Sequence, residues 1–219
     1  MCPVWRQRGA TTAPLEPIMA RPRTVSDAAI LEAARSVFLE LGPAASTAVI
    51  ADRVGLSQAG LFKRFPRKAD LMVAALAPPD IPPFAVLLAQ GPDVSQPVKP
   101  QLKAIARAVA VFFKELVPCV MVLNASGLSP EDLMNRYDVP PPLMATRAMS
   151  AWLDQAVNAG ALKSRDTMAT AFAFLGAMHM RCFLAHISDA TETDEALAAY
   201  ADSVVDNLWD GLAPSEETP

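Results

Sequence analysis

Gln58, Ala59, Gly60, Phe62, Lys63 and Arg64 follow Ser57 within a single short stretch of chain. A carboxamide, a methyl group and two cations so close together suit contact with duplex DNA. The Gln58 carboxamide can pair bidentately with adenine, and the Ala59 methyl can touch a thymine methyl. Thr47, Lys63, Arg64 and Lys68 suit phosphate oxygens, which position a protein without reading sequence. Arg21 and Arg23 form an arm that can reach a minor groove.

A second constellation lies further on. His179, Cys182 and His186 recur at i, i+3 and i+7 and fall near one helix face, a spacing that can hold a metal. No fourth ligand is evident, and Phe172, Leu175, Gly176 and Phe183 share that seam. Packing or a dimer contact is therefore the preferred reading, with no metal expected. Catalysis is not expected either. The chain has no phosphate-binding glycine loop and no nucleophile elbow. Its two histidines share one helix, and the adjacent Glu131 and Asp132 would point apart on a helix.

The elements that would position the first group are short helices. Ala29, Ile30, Ala33, Val37, Phe38 and Leu41 are spaced as one helix face, with Ser26 placed as N-cap and Gly42-Pro43 as the stop. Ser46 or Thr47 can cap a second helix running through Val54. Gly55-Leu56 makes a tight turn, and Ser57 can cap a third helix from Gln58 to about Phe65. Ala51 is small where those two helices cross, and Gly55 permits a positive φ, which together form a helix-turn-helix. A fourth helix is expected from about Arg67 to Ala77, ended by Pro78-Pro79.

The stretch from Pro78 to Pro100 is rich in proline and reads as a linker, with Phe84–Ala89 as a loose first element of a second domain. Further helices are expected at about Gln101–Leu116, Val120–Leu128, Pro130–Tyr137, Leu143–Ala159, Asp166–Ile187 and Thr193–Leu212. No strand-like alternation and no internal repeat appears. The expectation is an all-α chain of nine or ten helices. Residues 1–20 read as a disordered leader, 21–77 as the helix-turn-helix domain and 78–219 as the second domain. Met19 is a plausible alternative start to Met1.

Composition agrees. Hydrophobic residues make up 52% of the chain, which excludes a disordered one. Three scattered cysteines make no disulfide framework, and a reducing cytoplasm fits. The net charge of −4 hides an asymmetry, with residues 1–80 at +3 and the remainder at −7. Such a basic head on an acidic body suggests that one end meets a polyanion. Met168–Ile187 is the best membrane-span candidate, yet His179, Arg181 and His186 lie inside it. A buried helix is the preferred reading, and no membrane partner is expected.

Residues 26–77 resemble the DNA-binding domain of tetracycline-repressor (TetR) type transcriptional regulators. The likeness rests on the helix Ala28–Phe38, then Gly42, Thr47, Ile50-Ala51, Val54-Gly55-Leu56-Ser57, Leu61-Phe62, Phe65, Lys68 and Leu71. Phe62 stands where the family most often has Tyr, Gly60 where Thr is frequent, and Arg67 where a Ser or Asn cap is common. The segment from Tyr200 to Leu212 is similar to the family's dimer-forming end.

The resemblance implies an effector pocket and a dimerisation surface in the second domain. A methionine-rich composition suits an adaptable apolar cavity, with Met121, Met178, Asn124, Trp152 and His179 as candidate lining residues. It further implies a homodimer that binds a palindromic operator and is released by a small apolar or amphipathic effector, with no cofactor. A second reading is a small-molecule-binding helical sensor or carrier without sequence-specific DNA binding.

Overall fold

The computed structural model describes residues 25–163, 166–188 and 190–212, with side chains to residue 209. The expected leader, Met19, Arg21 and Arg23 lie outside the described residues. Within the described residues all regular structure is helical.

Four helices build the N-terminal head: α1 (Asp27–Leu41), α2 (Thr47–Arg53), α3 (Gln58–Arg64) and α4 (Lys68–Leu76). Their ends follow from local chemistry. The Ser26, Ser46 and Ser57 hydroxyls accept from the backbone N–H groups of Ala29, Ala48 and Gly60 and cap α1, α2 and α3. Each such cap stabilises its helix by about 1 kcal/mol. Gly55 turns the chain between α2 and α3 at φ 69°. That left-handed conformation would strain a residue with a side chain.

Six helices follow: α5 (Ala85–Ala89), α6 (Val98–Ala125), α7 (Pro130–Met134), α8 (Pro141–Asn158), α9 (Thr167–Ile187) and α10 (Asp194–Leu212). The helices expected at Gln101–Leu116 and Val120–Leu128 are one. α6 runs unbroken through Pro118. Proline lacks the N–H that would bond the Lys114 carbonyl, a loss that ordinarily kinks or breaks a helix. Packing on both sides of Pro118 holds the helix together instead. Leu102, Ile105, Ala106, Val109, Ala110 and Val117 face one core, while Cys119 and Leu123 face another.

Those two cores organise the molecule. The first joins α5, α6, α8, α9 and α10 around Trp152, Phe174 and Met178. The second joins the four head helices around Ile30, Phe38, Ile50, Leu61 and Leu71, and it includes Cys119, Leu123 and Leu133 from beyond the linker. α6 thus belongs to both, and Pro118 stands at the changeover. The Arg35 guanidinium donates to the Glu115 carbonyl at 3.1 Å, and the Tyr137 hydroxyl donates to the Pro78 carbonyl at 2.6 Å, so polar ties cross the same junction.

α6 and α9 are long and apolar enough to cross a bilayer by length and composition. Here they pack on one another, with α10 against α6 and α8 against α9. Lys99 and Lys103 pair with Asp206, Arg107 with Asp202 and Lys114 with Asp194, forming a ladder of ion pairs between α6 and α10.

Candidate functional site

The helix-turn-helix is assembled by packing beneath and polar struts at its sides. Leu61 is fully buried, and Ala51 is 1% exposed where α2 meets α3. Arg53 forks onto Glu40 at 2.9 and 3.1 Å and donates to the Ser36 hydroxyl at 2.9 Å, tying α2 to α1. This bidentate pairing holds the Glu40 carboxyl well below its ordinary range, from 4.5 to about 2, with the Ser36 hydroxyl assisting.

The outer face of α3 presents Gln58, Ala59, Phe62 and Lys63, all exposed. Lys63 and Lys68 have no ion-pair partner among the described residues, which leaves both ammonium groups available to a polyanion. Lys68 opens α4, with Arg67 before it as an N-cap whose side chain caps no backbone N–H of the helix. Arg67 instead forks onto Asp70.

Three of the expected DNA contacts sit differently from Lys63. Thr47 is 6% exposed, and its hydroxyl oxygen accepts from the Gln58 carboxamide nitrogen at 3.0 Å. Arg64 donates to the Val25 carbonyl and to Asp27, so its guanidinium fastens α3 to the start of α1. Ser57 spends its hydroxyl as the cap of α3. Gly60 has a local reason: a Cβ there would lie 3.3 Å from the Ser57 hydroxyl oxygen and crowd the cap.

In the second domain two neighbouring cavities share walls. The larger, about 380 Å³, lies among α6, α8 and α9 and is lined by residues including Phe112, Phe113, Met134, Thr146, Phe172 and Gly176. The smaller, about 220 Å³, is lined by Val117, Met121, Asn124 and Phe183. Leu116, Val120 and His179 line both. The His179 ring meets Phe113 edge-on at 5.2 Å and stacks on Phe183 at 6.2 Å. Both arrangements are favoured geometries for aromatic pairs. Apolar surroundings push the imidazole pKa below the ordinary value.

The expected lining residues therefore divide. Met121, Asn124 and His179 come together at the smaller cavity. Trp152 and Met178 do not join them: they are 1% and 0% exposed, packed into the core among α6, α8 and α9, and they line neither cavity. Phe112, Phe113 and Thr146, not singled out from sequence, line the larger cavity together with Phe172.

The His179, Cys182 and His186 spacing separates in space. Cys182 is buried and its thiol donates toward the Ala110 carbonyl at 3.6 Å. Burial pushes that thiol up to about 11. His186 is exposed and shares with Cys182, Lys114 and Glu192 a cavity that His179 does not line. Among the described residues no group of three metal-ligating side chains forms.

This pairing of a helix-turn-helix head with a cavity-bearing helical body has counterparts among known proteins. Residues 30–75 match the model for bacterial regulatory proteins of the tetR family. Residues 119–209 match the model for the C-terminal domain of AefR-like transcriptional repressors. The chain belongs to the TetR family. The matched segments take in the helix-turn-helix and most of the second domain and mark a transcriptional regulator, not an enzyme.

Solved TetR-family structures have the same fold. A chain from Mesorhizobium loti assigned to the TetR-family regulators has a TM-score of 0.68 at 17% identity, covering 85% of this chain and 96% of that one. A TetR-family regulator from Pectobacterium atrosepticum has a TM-score of 0.59 at 22% identity, covering 86% and 95%. The flavonoid-responsive regulator FrrA has a TM-score of 0.56 at 23% identity, covering 85% and 96%. No curated protein matches the chain in sequence.

Proposed function

We propose that this TetR-family chain is an effector-released repressor that binds a palindromic operator as a homodimer, in the cytoplasm where its DNA lies. The observation that carries the reading is α6. One helix lines both effector cavities through Phe112, Phe113, Leu116 and Val120, and its last turns, through Cys119 and Leu123, belong to the core of the head. A ligand that binds one setting of α6 better than another would shift where the head sits. The coupling equals that difference in affinity.

An unpartnered apolar row supports the homodimer. Met168, Phe172, Met180, Leu184 and Ile187 project from α9 with 37% to 58% of each exposed. With Gly176 they follow the i, i+4 and i, i+3 spacings of a helix-packing ridge. Two copies meeting along α9 and α10 would form a four-helix bundle. Two recognition helices would then stand about one DNA turn apart, roughly 34–36 Å. Gln58 and Ala59 would read bases, with Lys63 and Lys68 on phosphates and the arm of Arg21 and Arg23 in the minor groove.

The test is selection of random duplex DNA by the purified protein, sequenced at two salt concentrations. The expected result is a palindrome whose affinity falls as salt rises. Recovery of no preferred sequence by a folded dimer would refute the operator reading and leave the sensor or carrier.

A further inference from the structure

The residues around the two cavities that share His179 have one property in common: none is charged. The other described cavities differ. One is lined by Lys99, Lys103 and Arg107, a second includes Lys68 and Arg136, and a third includes Lys114 and Glu192. Among these five cavities the absence of charge is particular to the two along α6 and α9.

Polar groups are few there, and each has a definable state. The Thr146 hydroxyl donates to the Pro142 carbonyl at 2.8 Å. It can therefore offer a ligand only an acceptor lone pair. Asn124 lines the smaller cavity with both donor and acceptor capacity. The His179 ring is partly open to solvent, packs between Phe113 and Phe183, and makes no hydrogen bond among the described residues. Partial burial lowers its pKa from the ordinary value and so favours the neutral imidazole, which carries one donor and one acceptor.

We infer that the paired cavities select an uncharged, largely apolar ligand whose single hydrogen-bonding group is read by His179 and Asn124, and that they reject carboxylates. An anion bound here would lose part of its water to the apolar walls, with no lining cation to replace it. A carboxamide of the same shape loses far less, because the imidazole and the Asn124 side chain can each match one of its groups. The aromatic walls, Phe112, Phe113 and Phe172, favour a planar body in the larger cavity. The inference deepens the effector-released reading above and rests on it for biological meaning, but the binding it describes is measurable without DNA.

The experiment compares two isosteric pairs by calorimetry at pH 7.5 on the full chain: 2-naphthamide against 2-naphthoate, and biphenyl-4-carboxamide against biphenyl-4-carboxylate. Each amide is expected to bind at least tenfold more tightly than its carboxylate. His179→Phe keeps an aromatic ring between Phe113 and Phe183 while removing the nitrogens. It should weaken both amides about tenfold and leave 2-methylnaphthalene within twofold. Carboxylates that bind as well as the amides, or no measurable binding of either amide, would overturn the inference. The wild-type comparison decides it even if the variant fails to fold. Selection of operator DNA is scored separately: a protein that selects a palindrome but does not prefer amides keeps the regulator reading and loses this one. The opposite pattern keeps this one and loses the regulator reading.

Discussion

Gln58 and Thr47 are joined by one hydrogen bond, in which the carboxamide nitrogen donates to the threonine hydroxyl oxygen at 3.0 Å. The bond fixes the side chain at the start of the recognition helix before any DNA arrives. The Gln58 carbonyl oxygen stays available as an acceptor, and the nitrogen keeps a second hydrogen. Thr47, almost fully buried, supports the Gln58 side chain from behind. Gln58→Ala should relax preference at one symmetric base position, at about 1–3 kcal/mol. Thr47→Val, which removes only the hydroxyl, should blur the same position by a smaller amount. Binding-site selection with each variant checks both, and an unaltered preference at every position would remove Gln58 as a base reader.

Lys63 differs from Arg64 in having no ion-pair partner among the described residues. Lys63→Ala is expected to weaken binding to all sequences alike and to lower the slope of log affinity against log salt by about one. Arg64→Ala should instead lower the stability of the head, because it frees the Val25 carbonyl and Asp27. Salt titrations alongside thermal unfolding separate the two. A Lys63→Ala protein with the wild-type slope would show that no phosphate meets that side chain.

Stability in acid depends on Glu40. Its folded-state pKa of about 2 lies below the ordinary 4.5, so the ion pair with Arg53 favours the folded state fully above pH 4.5 and loses that effect as pH falls through 2. The wild-type advantage over Glu40→Gln should therefore be constant from pH 7 to 5 and shrink between pH 4.5 and 2. Urea unfolding midpoints of the two proteins across that range provide the measurement. A constant difference down to pH 2 would contradict the assignment.

Phe172 is 58% exposed on α9 and also lines the larger cavity. Phe172→Glu would place a carboxylate in a packed homodimer interface, where it would have no cation among the row of Met168, Met180, Leu184 and Ile187. Loss of the dimer at micromolar concentration is expected, with helix content retained. Sedimentation equilibrium and circular dichroism distinguish these outcomes. A dimer of unchanged affinity would exclude this face.

The head was legible because its signals are local. Ser26, Ser46 and Ser57 are caps whose partners lie two or three residues away, and Gly42 and Gly55 mark turns by their own backbone needs. The second domain was less so. Pro118 is a local breaking signal overruled by packing on two cores, which no window of sequence displays. Trp152 and Met178 have the chemistry of cavity walls and Phe112 and Phe113 the chemistry of a core, yet the first pair is buried in the core and the second lines the cavity. Periodicity identifies the apolar side of a helix but not which part of it faces a gap. Arg64 and Lys63 are adjacent cations, and only the position of α1 decides which one is spent internally.

The head's core includes Cys119, Leu123 and Leu133, residues that lie beyond the whole of the proline-rich linker. The part of the protein that would touch DNA is therefore not severable from the part that would sense a ligand. Cut after residue 77, the head would lose the floor beneath Leu71, Met72 and Leu76 and leave those side chains open to water. What looks along the chain like a module with a tail is one folded object, whose two ends share the interior wall that separates them.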